Sequence, residues 1–164
     1  RMKFNSLKEL NAYAKKQMED IARTKLNDLV MEALREFVIA KVYHAYFPKE
    51  YQRTHELLNS ITIGETKNDG KTITASIYFD ADKIIPNTNP NWSQHASVYN
   101  YEIDEKYNEP INEMIPYYMN YGTDSPVFSH QPALFLEETI KSLNSGLLRS
   151  ELIKFLKQRG IVAR

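Results

Sequence analysis

Apolar residues recur at three- and four-residue intervals through the first part of the chain. Leu7, Leu10, Ala14, Met18 and Ile21 share one helical face, which Leu26, Val30, Ala33/Leu34 and Phe37/Val38 continue. Ser6-Leu7-Lys8-Glu9 has the S-x-x-E form of a capping box at its start. No Pro or Gly falls between Ser6 and Phe47. The spacing therefore predicts a helix of about 40 residues, on the order of 60 Å at 1.5 Å per residue. A break near Thr24–Asp28 is the alternative. Helices average about 11 or 12 residues, so an unbroken helix would find part of its partner surface outside its own domain. Pro48 stops the pattern, because it lacks an N–H and its ring clashes with the preceding turn.

The period then changes from helical to alternating. Val38 to Ile63 joins the two regimes through the polar-aromatic corner Tyr51-Gln52-Arg53-Thr54-His55-Glu56-Leu57-Leu58. Ile61 and Ile63 alternate with Thr62, and Asn68-Asp69-Gly70 supplies a turn of the Asp-Gly kind. Thr72 to Phe79 alternates, with Ile73, Ala75, Ile77 and Phe79 on one face, so a β-hairpin is expected. The other face carries Thr, Ser and Tyr and is expected to be solvated or covered by a neighbour. Asp80 to Glu109 reads as a long insert, with Pro86, Pro90, Trp92 and the asparagines Asn87, Asn89, Asn91 and Asn100. Loops of this length inside compact domains tend to carry function. Within it, Ser97 to Ile103 is a candidate third strand, with Tyr99, Tyr101 and Ile103 on one face.

Two helical regions close the chain. Asn108-Glu109-Pro110 reads as a helix start. Ile111, Met114, Ile115, Tyr118 and Met119 form its apolar stripe, Pro116 kinks or restarts it, and Gly122 ends it. Ser125 to Gln131 reads as extended. Pro132 then opens a last helical region carrying Leu136, Ile140, Leu143 and Leu147. Gly146 is a break point, Leu148, Leu152, Phe155 and Leu156 resume the stripe, and Gly160 fits the position just past a helix end. The expected fold class is α+β: a long N-terminal helix, an antiparallel sheet built on a β-hairpin, and C-terminal helices packed on the sheet. One domain over residues 1–164 is expected, with 80–109 as its long insert. The expected core is Leu26, Val30, Leu34, Phe37, Ile61, Ile73, Ile77, Leu136, Ile140 and Leu143.

Composition narrows the function classes. Lys+Arg and Asp+Glu are both 21, a balance that argues against a protein built mainly to neutralise nucleic-acid phosphates. There is no cysteine, which excludes disulfides and thiolate metal sites. No apolar run approaches the roughly 20 residues of a membrane span. Arg1 to Leu10 lacks the apolar core of a signal peptide, so a reducing, cytoplasmic place of assembly is expected. An aromatic share of 12%, with 11 Tyr, fits a protein with substantial contact surfaces.

Candidate chemistry is sparse. His44, His55, His95 and His130 show no i, i+4 pairing around a general-base Glu. Asp80 and Asp82 lack the glycine and further ligands of an EF-hand. Neither a phosphate-binding Gly-rich loop nor a nucleophile-elbow motif is present. No catalytic, metal or cofactor residues are therefore expected, and the protein is not expected to be an enzyme. Tyr43, Tyr46, Phe47 and Tyr51 with Arg53 form an aromatic-basic cluster that has the chemistry to stack on a base. Given the balanced charge, packing of the helix-to-sheet corner by Tyr46, Tyr51, Arg53 and Thr54 is the favoured reading.

Two segments resemble proteins of tailed bacteriophages. The first is Tyr46-Phe47-Pro48-Lys49-Glu50-Tyr51-Gln52-Arg53-Thr54 with Leu57-Leu58-Asn59-Ser60. The second is Ile115-Pro116-Tyr117-Tyr118-Met119-Asn120-Tyr121-Gly122-Thr123, then Pro126, then Pro132-Ala133-Leu134-Phe135-Leu136-Glu137-Glu138-Thr139. Together they are similar to minor tail, tail-completion and head–tail connector (neck) proteins over Phe37 to Leu156. Two features depart from that pattern: the long Asp80–Glu109 insert, and Tyr121 where an acidic residue often precedes Gly-Thr. The resemblance implies a structural virion protein working by protein–protein assembly with connector or tail subunits. It also implies a homo-oligomeric ring in the virion, compatible with a monomer when isolated. Catalytic residues, cofactors and membrane contact are not implied, and DNA is met only in passing. The location implied is the virion, after assembly in the bacterial host cytoplasm. A nucleic-acid-binding or phage-encoded regulatory protein is the alternative. Ile84, Ile85, Trp92, Tyr99 and Tyr101 are the expected interface residues, because the insert places apolar and aromatic groups on a loop.

Overall fold

Ser6 caps the first helix as its sequence predicts. Its Oγ accepts from the Glu9 N–H at 3.2 Å, while Glu9 Oε2 accepts from the Asn5 N–H at 2.8 Å. The reciprocal half of the capping box thus reaches one residue beyond the cap. The structure, a computed structural model, describes residues 4–45, 55–84, 103–104, 109–124 and 129–161. Helix α1 spans Leu7–Ile21 and α2 spans Asn27–Val38. They are joined by a wide, π-type turn at Ala22–Leu26, and a second such turn, Ile39–Tyr43, follows α2. The backbone stays right-handed helical at Ala22, Asn27 and Val38, so the long helix is continuous from Leu7 to Tyr43. The alternative break at Thr24–Asp28 is a loosened turn. Thr24 Oγ1 donates to the Asp20 carbonyl at 2.8 Å, and Asn27 Nδ2 donates to the Arg23 carbonyl at 3.2 Å. Side-chain donors aimed at i−4 carbonyls compete with the backbone N–H groups and widen the helix there.

The chain forms two compact units. The first is made of Arg1–Ala33, Ile63–Ile77 and Ile140–Arg164. In it α1 packs against the final helix, which we label α6, Leu148–Gln158. Tyr13 Oη donates to the Arg159 carbonyl at 3.4 Å, and the Arg159 guanidinium donates to Gln17 Oε1 at 2.6 Å and pairs with Asp20. Ile21, Ala22, Leu143 and Leu156 are buried. Strands β2, Lys67–Asn68, and β3, Ile73–Thr74, pair antiparallel across the predicted Asp-Gly turn. Asp69 Oδ1 accepts from the Lys71 and Thr72 N–H groups and holds that turn. At the end of α6, Gly160 adopts φ 77. Its N–H donates to the Lys157 carbonyl and the Ile161 N–H to the Leu156 carbonyl, the paired bonds of a Schellman cap.

The second unit is made of Leu34–Thr62 and Tyr78–Thr139. Leu34, Val38 and Val42 bury one face of the first helix's far end, together with Leu57 from the short helix α3, Glu56–Asn59. Strand β1 is Ile61–Ile63 and β4 is Ile77–Phe79; they pair with one another. Phe79 meets Phe135 edge-on, with ring centroids 5.9 Å apart. Short antiparallel pairs join β5, Ile103–Asp104, to β6, Glu109–Pro110, and β7, Thr123–Asp124, to β8, Ser129–His130. Helix α4, Ile111–Tyr121, runs through Pro116 without ending, and α5 is Phe135–Ser142.

The α+β class holds, with corrections in detail. The predicted strand Thr72–Phe79 is two strands. The chain changes partner at Ala75-Ser76, where the Gly64 N–H takes the Ser76 carbonyl at 2.8 Å, so β3 serves β2 and β4 serves β1. Among the described residues the strands make four two-stranded pairs rather than one sheet. The start expected at Asn108-Glu109-Pro110 moves to Ile111, because Glu109-Pro110 pairs as a strand. In the expected core, Leu34, Ile61 and Leu143 are buried, and Leu26, Val30, Phe37, Ile73, Ile77 and Leu136 are half-buried. Ile140 is 58% exposed. The buried residues of α5 are Phe135 and Thr139, each one position before the expected Leu136 and Ile140.

Candidate functional site

The second unit carries a polar clamp where α4 ends and α5 begins. The Gly122 N–H donates to the Tyr118 carbonyl at 2.8 Å and closes α4. The returning chain is then tied back: the Ala133 N–H donates to the Met119 carbonyl, and the Leu134 N–H to the Asn120 carbonyl at 3.0 Å. Leu134 sits at φ 52, in the left-handed region that a leucine rarely adopts. Its carbonyl accepts the first bond of α5, from Glu138, so Leu134 is the helix's N-cap residue. An apolar N-cap has no oxygen for the first-turn N–H groups. Asn120 supplies one from another helix: its Oδ1 accepts from the Leu136 N–H at 2.9 Å.

The rest of Asn120 is also used. It is 0% exposed, and its Nδ2 donates to Glu137 Oε2 at 2.9 Å. A buried side-chain amide must find partners or lose the free energy of the water it left. The bond from Asn120 holds the Glu137 carboxyl below the usual glutamate range, with Tyr121 adding to the effect. Conversely, the Glu137 charge raises the Tyr121 phenol above its ordinary value. The carboxylate also lies in the first turn of α5, where negative charge is favoured by the helix dipole.

Around this clamp stand exposed aromatic rings. Glu113, Tyr117 and Tyr121 share one face of α4 at four-residue spacing, and all three are exposed. Tyr117 and Tyr121 are 47% and 45% exposed, with ring centroids 4.8 Å apart and planes tilted by 52°. Leu134 is exposed too, in the returning chain, and its N–H donates to the carbonyl of Asn120, the residue before Tyr121. Half-wet tyrosines and a leucine on a hydrogen-bonded frame have the chemistry of a protein-contact ledge.

Ile84, expected at an interface, is 4% exposed and belongs to the interior of its unit. It follows the 3₁₀ turn Ala81–Lys83, and the Ala81 carbonyl accepts from Asn112 Nδ2 at 3.0 Å. The other expected interface residues, Ile85, Trp92, Tyr99 and Tyr101, lie outside the described residues, as do the corner residues Tyr46, Tyr51, Arg53 and Thr54. At the edges of that corner, Tyr43 and His55 bring their rings to 4.6 Å. Among the described residues no group of three or more His, Asp or Glu side chains is placed to hold a metal ion. No described helix is long and apolar enough to cross a membrane.

Nothing in the sequence distinguishes Asn120 from its neighbours in Met119-Asn120-Tyr121-Gly122-Thr123. Its partner Leu136 lies 16 residues on, beyond any helical or strand period.

An α+β chain with a long first helix, short strand pairs and a clamped pair of later helices is the class these elements define. The chain belongs to the YomN family, whose match spans residues 6–159. This is a phage-derived family. Searches of the curated proteins and of the solved structures give no match.

Proposed function

We propose that the protein is a structural virion component of a tailed phage, a tail-completion or head–tail connector subunit that acts by protein–protein assembly. The observation that carries this reading is the exposed Tyr117–Tyr121 ledge on its Asn120 clamp. The clamp joins the two halves of the segment that resembles tail and neck proteins, in a chain of a phage-derived family. A structural subunit needs contact chemistry presented rigidly, and interface energy concentrates in aromatic anchors held by such frames. Trp92, with Ile85, Tyr99 and Tyr101, is proposed as a second contact segment, and Trp92→Ala should block incorporation while leaving the free subunit folded.

The test is a phage carrying an early stop codon in this gene, compared with purified wild-type virions. Mass spectrometry should find the protein in wild-type particles at a fixed copy number. Electron microscopy of the mutant lysate should show filled heads and tails that fail to join or to finish. A protein abundant in infected cells but absent from purified particles would sink the proposal and favour the regulatory alternative.

A further inference from the structure

The first unit carries an apolar groove. Where the helix after α5 kinks, Gly146 adopts φ 108, a conformation a side chain strongly disfavours. The kink opens a groove of about 570 Å³ lined by Leu26, Leu143, Leu148 and Leu152, with Arg149 at its wall. That volume is far above the roughly 30 Å³ a single water occupies, so it suits large side chains rather than an ion. Leu147 is exposed beside it. Arg149 is exposed and has no carboxylate partner among the described residues.

We infer that the Tyr117–Tyr121–Leu134 ledge of one copy seats in the Gly146 groove of a second copy, with Glu137 of the first meeting Arg149 of the second. The inference deepens the assembly reading above by naming two faces that meet. Charge selects this pairing over the symmetric one. Two ledges face to face would bring Glu137 against Glu137, and two grooves Arg149 against Arg149; like charges across an interface are strongly disfavoured. Ledge to groove puts opposite charges together and covers leucines with tyrosines. Glu137 suits the role because Asn120 and Tyr121 already hold it ionised and fixed, so little side-chain freedom is lost on contact. Different faces meeting head to tail make a heterologous contact, which closes into a ring or propagates according to its rotation.

Sedimentation velocity of the full chain over a range of concentrations tests this. The wild type should self-associate reversibly. Arg149→Glu and Glu137→Arg should each weaken association about tenfold or more, a like-charge effect. The double variant Glu137→Arg/Arg149→Glu should restore it, and so should an equimolar mixture of the two single variants, because each then offers the other an opposite charge. Glu137→Arg also disturbs the clamp, so Leu134→Asn is the independent variant. Asparagine tolerates the left-handed backbone at φ 52 and is a preferred N-cap residue, so this change should weaken association without lowering the thermal melt. A wild type that stays monomeric at every concentration overturns the inference, as does association unmoved by Arg149→Glu and Leu134→Asn. Neither result touches the virion proposal, which rests on particle composition and phage morphology.

Discussion

At the scale of single residues, Asn120 carries more of the fold than its size suggests. It replaces the cap that Leu134 cannot provide and pins the Glu137 carboxylate. Asn120→Leu should orphan the Leu136 N–H and remove the Glu137 bond. The expected loss is about 2–3 kcal/mol in urea melts, the range for a buried donor left unsatisfied plus a lost cap. A loss under about 0.5 kcal/mol, the usual scale of a neutral surface change, would show that the clamp is dispensable. Glu137 adds a pH signature. Its folded-state pKa is lowered, so its contribution is fully present above the ordinary glutamate value near 4.3 and fades as pH falls through the lowered one. Glu137→Gln should flatten that acid limb of the melting curve. An acid limb identical to wild type would mean that other carboxylates set it.

At the scale of elements, local chemistry was legible and long-range pairing was not. The Ser6 cap, the Gly122 and Gly160 helix ends and the Gly146 kink all follow from short-range rules, and the structure has each of them. A helical period along the whole first stretch was legible too, since no Pro or Gly falls between Ser6 and Phe47, but it left a break at Thr24–Asp28 open. The wide turn at Ala22–Leu26 was not legible, because it depends on where Thr24 and Asn27 aim their side chains. The split of Thr72–Phe79 was hidden for a similar reason: the alternation continues in sequence while the hydrogen-bond partner changes. Burial of α5 differs from the expected face by one position at Phe135 and Thr139. Ile140 and Thr139 both fit an amphipathic spacing, and long-range contacts, such as Phe135 with Phe79 and Asn120 with Leu136 and Glu137, are not written in that spacing. This gives a paired prediction. Leu34→Ala, at a side chain 6% exposed, should cost about 2–5 kcal/mol, as large-to-small core changes do. Ile140→Ala, at one 58% exposed, should stay within about 0.5 kcal/mol of wild type. Equal costs for the two would return Ile140 to the core.

At the scale of the whole molecule, charge separates assembly from nucleic-acid binding. A protein that binds duplex DNA without sequence preference does so by neutralising phosphates and releasing counterions. This chain has 21 basic and 21 acidic residues, so every gathering of cations must be matched by anions elsewhere. The described ion pairs use several of its cations locally: Arg23 with Glu19, Lys83 with Asp80, Lys154 with Glu151 and Arg159 with Asp20. These pairs are at the surface and individually weak, so it is the missing basic excess, more than the pairing, that argues against phosphate binding. The aromatic-basic corner, with Arg53 as its cation, is the feature that argues the other way. Fluorescence anisotropy with a labelled duplex and a labelled single strand decides between them. For an assembly protein, both should bind more weakly than about 100 µM at physiological salt, at or beyond the weak end of non-specific binding. Single-strand binding in the low micromolar range, lost on Arg53→Ala and falling steeply with added salt, would instead make the corner a nucleic-acid site. Binding of that kind would move the centre of function from the tyrosine ledge of the second unit to the helix-to-sheet corner.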